Sequence, residues 1–413
     1  MPAMSRLPFL FIVTGIFGFV LFHATSLMSF TGWLGEDIRG PAGWFQVHLF
    51  VLGWATMLAM GAVYQLINVI LQANLYSERL GYIHYVLFTV GLFGLLFGFV
   101  QGDTYWIGGF ATVAFSGIVL FVWNMAATLL RAKLWNAITL STACAVTFLL
   151  LTGLTGMTMG IGFATGLWSD WHENLFGAHI WLGTLGWFGL LITGFSYKLL
   201  PMFYLSHDYS LRLEYVVLGL WNAGVLLGAG SFLLGSPIGF KIASLGLIAI
   251  ALIVYNIHLL QIRKKRHKRS PGAGIEWAVT GSQLLALFTA LFFIRAILLP
   301  ESLLDTSTVL VAGWVYLSCW VSFTVLGYVS KIVPFLWWTH KYGKQAGKPG
   351  TPVLADLLDD RKVNLGLTLI LCANLTVLMG LVLGFSLVVA LGGAMLSVVS
   401  LAYITIIALV FAH

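Results

Sequence analysis

Charge is scarce in this chain: 413 residues include only 14 Asp or Glu and 21 Lys or Arg, 8% in all. Soluble folds carry about 25%, so a string of soluble domains is excluded. Cysteine is scarcer still. Cys144, Cys319 and Cys372 lie inside apolar runs without CxxC or other metal spacing, so no disulfide framework is implied. No GxxxxGK(S/T) loop, HExxH helix or nucleophile elbow occurs, and nothing points to phosphate-loop, zinc-peptidase or serine-hydrolase chemistry. The net charge of +7 and the pI near 9.3 do not mark a nucleic-acid partner, because the basic residues occupy short loops between apolar runs.

What is present is apolar: 60% of residues are hydrophobic and the mean hydropathy is +0.96. Runs of about 20 apolar residues are the length of a bilayer crossing. They predict twelve spans, at 7 to 30, 44 to 72, 82 to 101, 105 to 130, 136 to 165, 176 to 203, 213 to 235, 238 to 262, 277 to 299, 308 to 336, 363 to 383 and 386 to 411. The expected fold is all-α, a single polytopic membrane domain over residues 1 to 413 with the lipid bilayer as its partner. Arg6 followed by about 24 largely apolar residues, without a small-residue cleavage site, reads as a retained first helix. The loop RKKRHKRS (263 to 270), Arg131 with Lys133, and the stretch from Lys331 to Lys362 follow even-numbered spans. Glu36, Asp37, Asp103, Asp170, Glu173, Glu301 and Asp305 follow odd-numbered ones. Basic loops stay on the cytoplasmic side, so both termini are expected inside a bacterial-type cytoplasmic membrane. The polar segment from His340 to Lys362 reads as a cytoplasmic loop.

An internal repeat joins the second, sixth and tenth spans. Trp54, Trp187 and Trp320 lie 133 residues apart, each followed seven residues later by Gly61, Gly194 or Gly327. Further columns are Tyr64, Tyr197 and Ser330; Gln65, Lys198 and Lys331; Asn68, Pro201 and Pro334. The unit is four helices, giving units of about 1–134, 135–267 and 268–413, unlike the two groups of six usual in twelve-helix carriers.

Ionisable residues inside membrane helices are functional candidates by default. Of ten histidines, His207, His267, His340 and His413 fall in or beside loops, and His84 and His258 near the inner helix ends. His23, His48 and His179 instead share a layer near the outer face, at about 1.5 Å of rise per residue. Imidazole ligates haem iron and copper, so this layer is a candidate metal site, which His172 beside Asp170 and Glu173 would extend. Gly183 and Gly186 follow His179 on the same helix face, offering a flat bed for a macrocycle, with Trp181 and Trp187 to flank it. The spans contain essentially no acidic residue for a proton relay, and Lys198 and Lys331 are expected to snorkel to the interface.

Three four-helix arcs about a pseudo-threefold axis resemble haem-copper oxidase subunit I, and G-x2-(N/Y)-x3-P resembles the end of that family's second helix. The short length looks most like the NnrS haem-copper membrane proteins of nitric oxide tolerance, or similar short oxidase-like proteins. The resemblance implies a haem, b-type, with copper as a possible second metal. It further implies a diatomic gas (nitric oxide or oxygen) or a respiratory electron donor as partner, and hence oxidoreductase chemistry. By position the family's second-helix haem ligand and sixth-helix copper ligand correspond to His48 and His179. The chain departs from the pattern at the seventh and tenth helices: 213 to 235 has no histidine pair, and Ala312, Trp314 and Tyr316 stand in the tenth. Gly183 replaces the tyrosine that many oxidases have four residues after the sixth-helix histidine. Oxygen reduction with proton pumping is therefore not expected. The other expectation is a non-redox transporter or assembly factor for haem, copper or a small solute on the same scaffold.

Overall fold

The computed structural model describes residues 6–35, 38–71, 74–132 and 134–412, with the side chains of 68–71 excepted. Glu36, Asp37, Lys133, His413 and the side chain of Asn68 lie outside the described residues. Twelve helices are long and apolar enough to cross a membrane: α1 Arg6–Met28, α2 Pro41–Ile67, α3 Glu78–Gln101, α4 Thr104–Leu129, α5 Ala137–Thr165 and α6 Ser169–Tyr204, then α7 Arg212–Leu233, α8 Ile238–Lys264, α9 Ala273–Leu298, α10 Thr306–Gln345, α11 Asp360–Leu383 and α12 Ser386–Ala412. No strand occurs among the described residues. The chain is a polytopic helical membrane protein. Its outer surface carries lipid-type side chains such as Phe17, Val90, Ile250, Leu291 and Leu375.

Most helix ends fall within a few residues of the expected ones, with two exceptions. α6 begins at Ser169 and takes His172 into its first turns, and α10 runs to Gln345, so His340 is helical. Polar residues at a helix end are compatible with helix once they point past the bilayer. Local chemistry sets the sharp turns: Gly102, left-handed at φ 66°, closes α3, and the next residue, Asp103, caps α4 by accepting from the Tyr105 and Trp106 amides.

α2, α6 and α10 form the interior, with 67%, 56% and 56% of their apolar windows buried against 50% or less elsewhere. The remaining helices surround them, and α12 packs back onto α1. Each inner helix contains a π-helical segment that periodicity gave no sign of: Leu49–Thr56, Leu182–Gly189 and Val315–Val321. They start at the same 133-residue interval that separates Trp54, Trp187 and Trp320, three of the largest fully buried side chains. The glycines that follow also meet neighbours at that interval. Gly61 lies against Pro8, Gly194 against Ser141 and Gly327 against Gly274, each on the helix immediately before.

A π segment rearranges the α-helical hydrogen bonding and is common at functional sites. In α6 the side chains of neighbouring helices supply donors: Trp221 Nε1–H donates to the Leu185 carbonyl at 2.8 Å, and Tyr316 donates to that of Thr184 at 3.0 Å. Trp187 Nε1–H reaches Thr56 of α2 at 3.2 Å. Trp221→Phe keeps most of the ring volume and removes the donor to a buried carbonyl. It is expected to lower stability in detergent by about 1–3 kcal/mol, read as a drop in thermal midpoint.

Candidate metal centre

The π segments of α2 and α6 begin just after two histidines. His48 is the last residue of the regular turns that open α2, and His179 sits two residues before the last such residue of α6. The structure brings their rings together, with centroids 6.2 Å apart and planes inclined by 27°. Each Nδ1 faces a carbonyl oxygen, Trp44 for His48 at 2.8 Å and Thr152 of α5 for His179 at 2.9 Å. A carbonyl can only accept, so both Nδ1 atoms carry the proton and both Nε2 lone pairs remain for a ligand. Anchoring the far nitrogen on a backbone acceptor is the usual support for a ligating imidazole.

α5 makes the notch that holds His179. The Thr155 hydroxyl oxygen lies 3.3 Å from Nδ1, and Gly156 lies under the ring, where an added Cβ would come 2.9 Å from Cε1. Thr152, Thr155 and Gly156 were not among the expected site residues. Their signal is the run TGLTG at 152–156, in which small and hydroxyl residues recur at helical spacing. Phe99 of α3 lies 4.9 Å from the His48 ring, and Trp44 stacks on Phe163 of α5 at 5.2 Å, making an aromatic wall.

The other expected members are elsewhere. His23 is buried on α1 between Phe19 and Phe22, with Nδ1 3.4 Å from the Ser397 hydroxyl of α12. Equal depth did not put it on the same side of the bundle. His172 is half-buried against Phe163 at 4.9 Å and, with Met159, Trp168 and Glu173, lines a partly open cleft. Glu173 in turn pairs with Arg39 at 2.6 Å, tying the segment ahead of α2 to the start of α6. That pair is exposed and worth at most about 1 kcal/mol.

The glycine bed is a correction. Gly183 packs on Thr152, and an added Cβ at Gly186 would come 2.6 Å from Phe148 Cβ, so α5 already fills that strip. Small residues bring the two helices close, leaving no face for a macrocycle there. Trp181 turns to α7, donating to the Gly224 carbonyl at 3.3 Å, and so does not flank the pair. A second correction concerns buried acids. Glu214 is only 4% exposed and pairs with His258, which is 0% exposed. The spans thus do contain a buried carboxylate, in the first turn of α7.

Among the described residues no group of three or more His, Cys, Asp or Glu side chains is placed to hold a metal ion. The donor set is therefore two neutral imidazoles. With about 2.1 Å per metal–nitrogen bond and roughly 1.1 Å from nitrogen to ring centre, two imidazoles sharing one ion have centres no more than about 6.4 Å apart. The observed 6.2 Å lies within that reach. Two protein ligands suit haem iron, whose porphyrin supplies four more donors, or copper(I). They do not suit zinc, which takes three or four. No protein-family model matches the chain, and no characterised protein matches it in sequence.

Proposed function

We propose that this protein is a haem protein of the bacterial-type cytoplasmic membrane, holding a b-type haem between His48 and His179 on a scaffold that resembles haem-copper oxidase subunit I. The observation that carries the reading is the isolated pair of imidazoles, each with Nδ1 anchored on a carbonyl and with ring centres 6.2 Å apart. When bound, the haem supplies one-electron redox chemistry. His48 and His179 would hold it through their Nε2 atoms, with Phe99 packed against the His48 ring. Ligation by both histidines would favour electron transfer with a respiratory donor over binding of nitric oxide or oxygen. The three buried tryptophans, π segments and glycine contacts at one interval support the reading of three four-helix units. The basic loop 263 to 270 supports cytoplasmic termini.

One observation favours a second reading: two-coordinate nitrogen ligation also suits copper(I), as cargo in a transporter or assembly factor. Optical spectra of the detergent-purified protein, oxidised, reduced and exposed to nitric oxide, with haem and copper quantified on the same sample, separate the readings. Near-stoichiometric haem with bands unmoved by nitric oxide is the expected result. Bands that shift with gas would indicate an open axial position, and copper without haem would favour the carrier. Colourless, metal-free protein made with ample haem would overturn the cofactor reading.

A further inference from the structure

The chain crosses the membrane once more between His179 and Glu214, which places the Glu214–His258 pair at the opposite end of the bundle from the histidine pair. Glu214, in the first turn of α7, lies 3.2 Å through Oε1 from His258 Nε2 near the end of α8, and both side chains are buried. The groups facing them are tyrosines: Tyr197 of α6 at 5.4 Å and Tyr209 of the 205–211 connection at 5.7 Å from the His258 ring, with Tyr255 of α8 6.0 Å from Tyr197. The neighbouring charged side chains Arg212 and Lys198 are exposed, and Glu276 of α9 pairs with Arg263. His258 Nδ1 and the Tyr197 hydroxyl are buried without a partner. Buried polar atoms of this kind are normally satisfied by internal water.

From this geometry we infer that Glu214 and His258 form a proton-binding site that exchanges with the α6–α7 loop side, independently of any cofactor at His48 and His179. The proton leaves hydronium and is held between carboxylate and imidazole, cancelling the carboxylate charge inside the bundle. Tyr209 is the only residue of the connection in ring contact with the pair, and it is half-buried between it and exposed Asp208 and Ser210. Burial and the Glu214 carboxylate push its phenol up to about 12, so it stays a neutral hydroxyl. The connection holds left-handed backbone at two non-glycine residues, Leu205 (φ 52°) and Asp208 (φ 59°). Such positions mark a segment fixed by its surroundings.

The test is potentiometric titration of folded protein in detergent, with infrared detection of carboxyl groups. Glu214→Gln and His258→Gln are each expected to remove one proton from the count. Tyr209→Ala is expected to keep the count and speed deuterium exchange at least about tenfold. Equal counts in wild type and both Gln variants would reduce the pair to a fixed structural contact and overturn the proposal. Should the Gln variants fail to fold, the wild type decides it: an infrared signature of the pair that resists exchange in heavy water for days overturns it, and rapid exchange upholds it.

Discussion

His179→Ala is expected to cost the protein its bound metal group with the helical fold intact. Losing a residue that merely orients a ligand costs 10- to 100-fold in metal affinity, so losing the ligand should cost at least about 100-fold. The protein should then purify with well under a tenth of the wild-type haem or metal per chain. His48→Ala is expected to do the same. The double variant should be no worse than either single one, because a site that needs both imidazoles is lost with the first. Gly156→Val leaves both ligands in place and sets a side chain 2.9 Å from His179 Cε1. It should give an intermediate loss, with a changed spectrum in the fraction still loaded. Full metal content in both alanine variants would place the cofactor, if there is one, elsewhere.

The crossings were legible because apolar run length is a direct consequence of bilayer thickness, and the inner position of α2, α6 and α10 follows the helices that carry the repeated tryptophans. Depth was legible too: counting residues from helix ends put His48 and His179 in one layer. Depth is only one coordinate. Which neighbour a face meets depends on packing across the bundle, and there sequence gave no guide. His23 shares the layer and faces α12; Gly183 and Gly186 share a face with His179 and meet α5.

Glu214 shows a different failure. At the first turn of a span a carboxylate reads as solvated, and here it is buried against His258, whose ring also meets Tyr209 of the 205–211 connection. The π segments were hidden for a further reason. Widened turns leave hydrophobicity unchanged, and they are stabilised by donors from other helices, such as Trp221 and Tyr316, that no local pattern exposes.

The same repeat position should tolerate substitution very unequally, and Gly327 should tolerate it least. A Cβ there overlaps the carbonyl oxygen of Gly274 on α9, and a Cβ at Gly274 overlaps the Gly327 backbone and the Ser330 hydroxyl. The obstacle is main chain on both sides, so no rotamer change relieves it and the helices must part. Gly327→Leu is expected to destabilise by about 3 kcal/mol or more, at the upper end of overpacking costs, and to leave little folded protein in detergent. At Gly194 the obstruction is Ser141 Cβ at 2.6 Å, a side-chain atom fixed to the α5 backbone. At Gly61 it is Ile12 and Phe11 at 3.0 and 3.1 Å and the Pro8 carbonyl at 3.2 Å. Ile12 can turn, and Phe11 Cβ and the Pro8 carbonyl stand off further than Ser141 Cβ does from Gly194, so Gly61→Ala should cost about 1 kcal/mol. Thermal midpoints of the three alanine variants should therefore fall in the order Gly61, Gly194, Gly327 from mildest to most severe. Equal losses at all three would mean that close helix approach is not what these glycines provide.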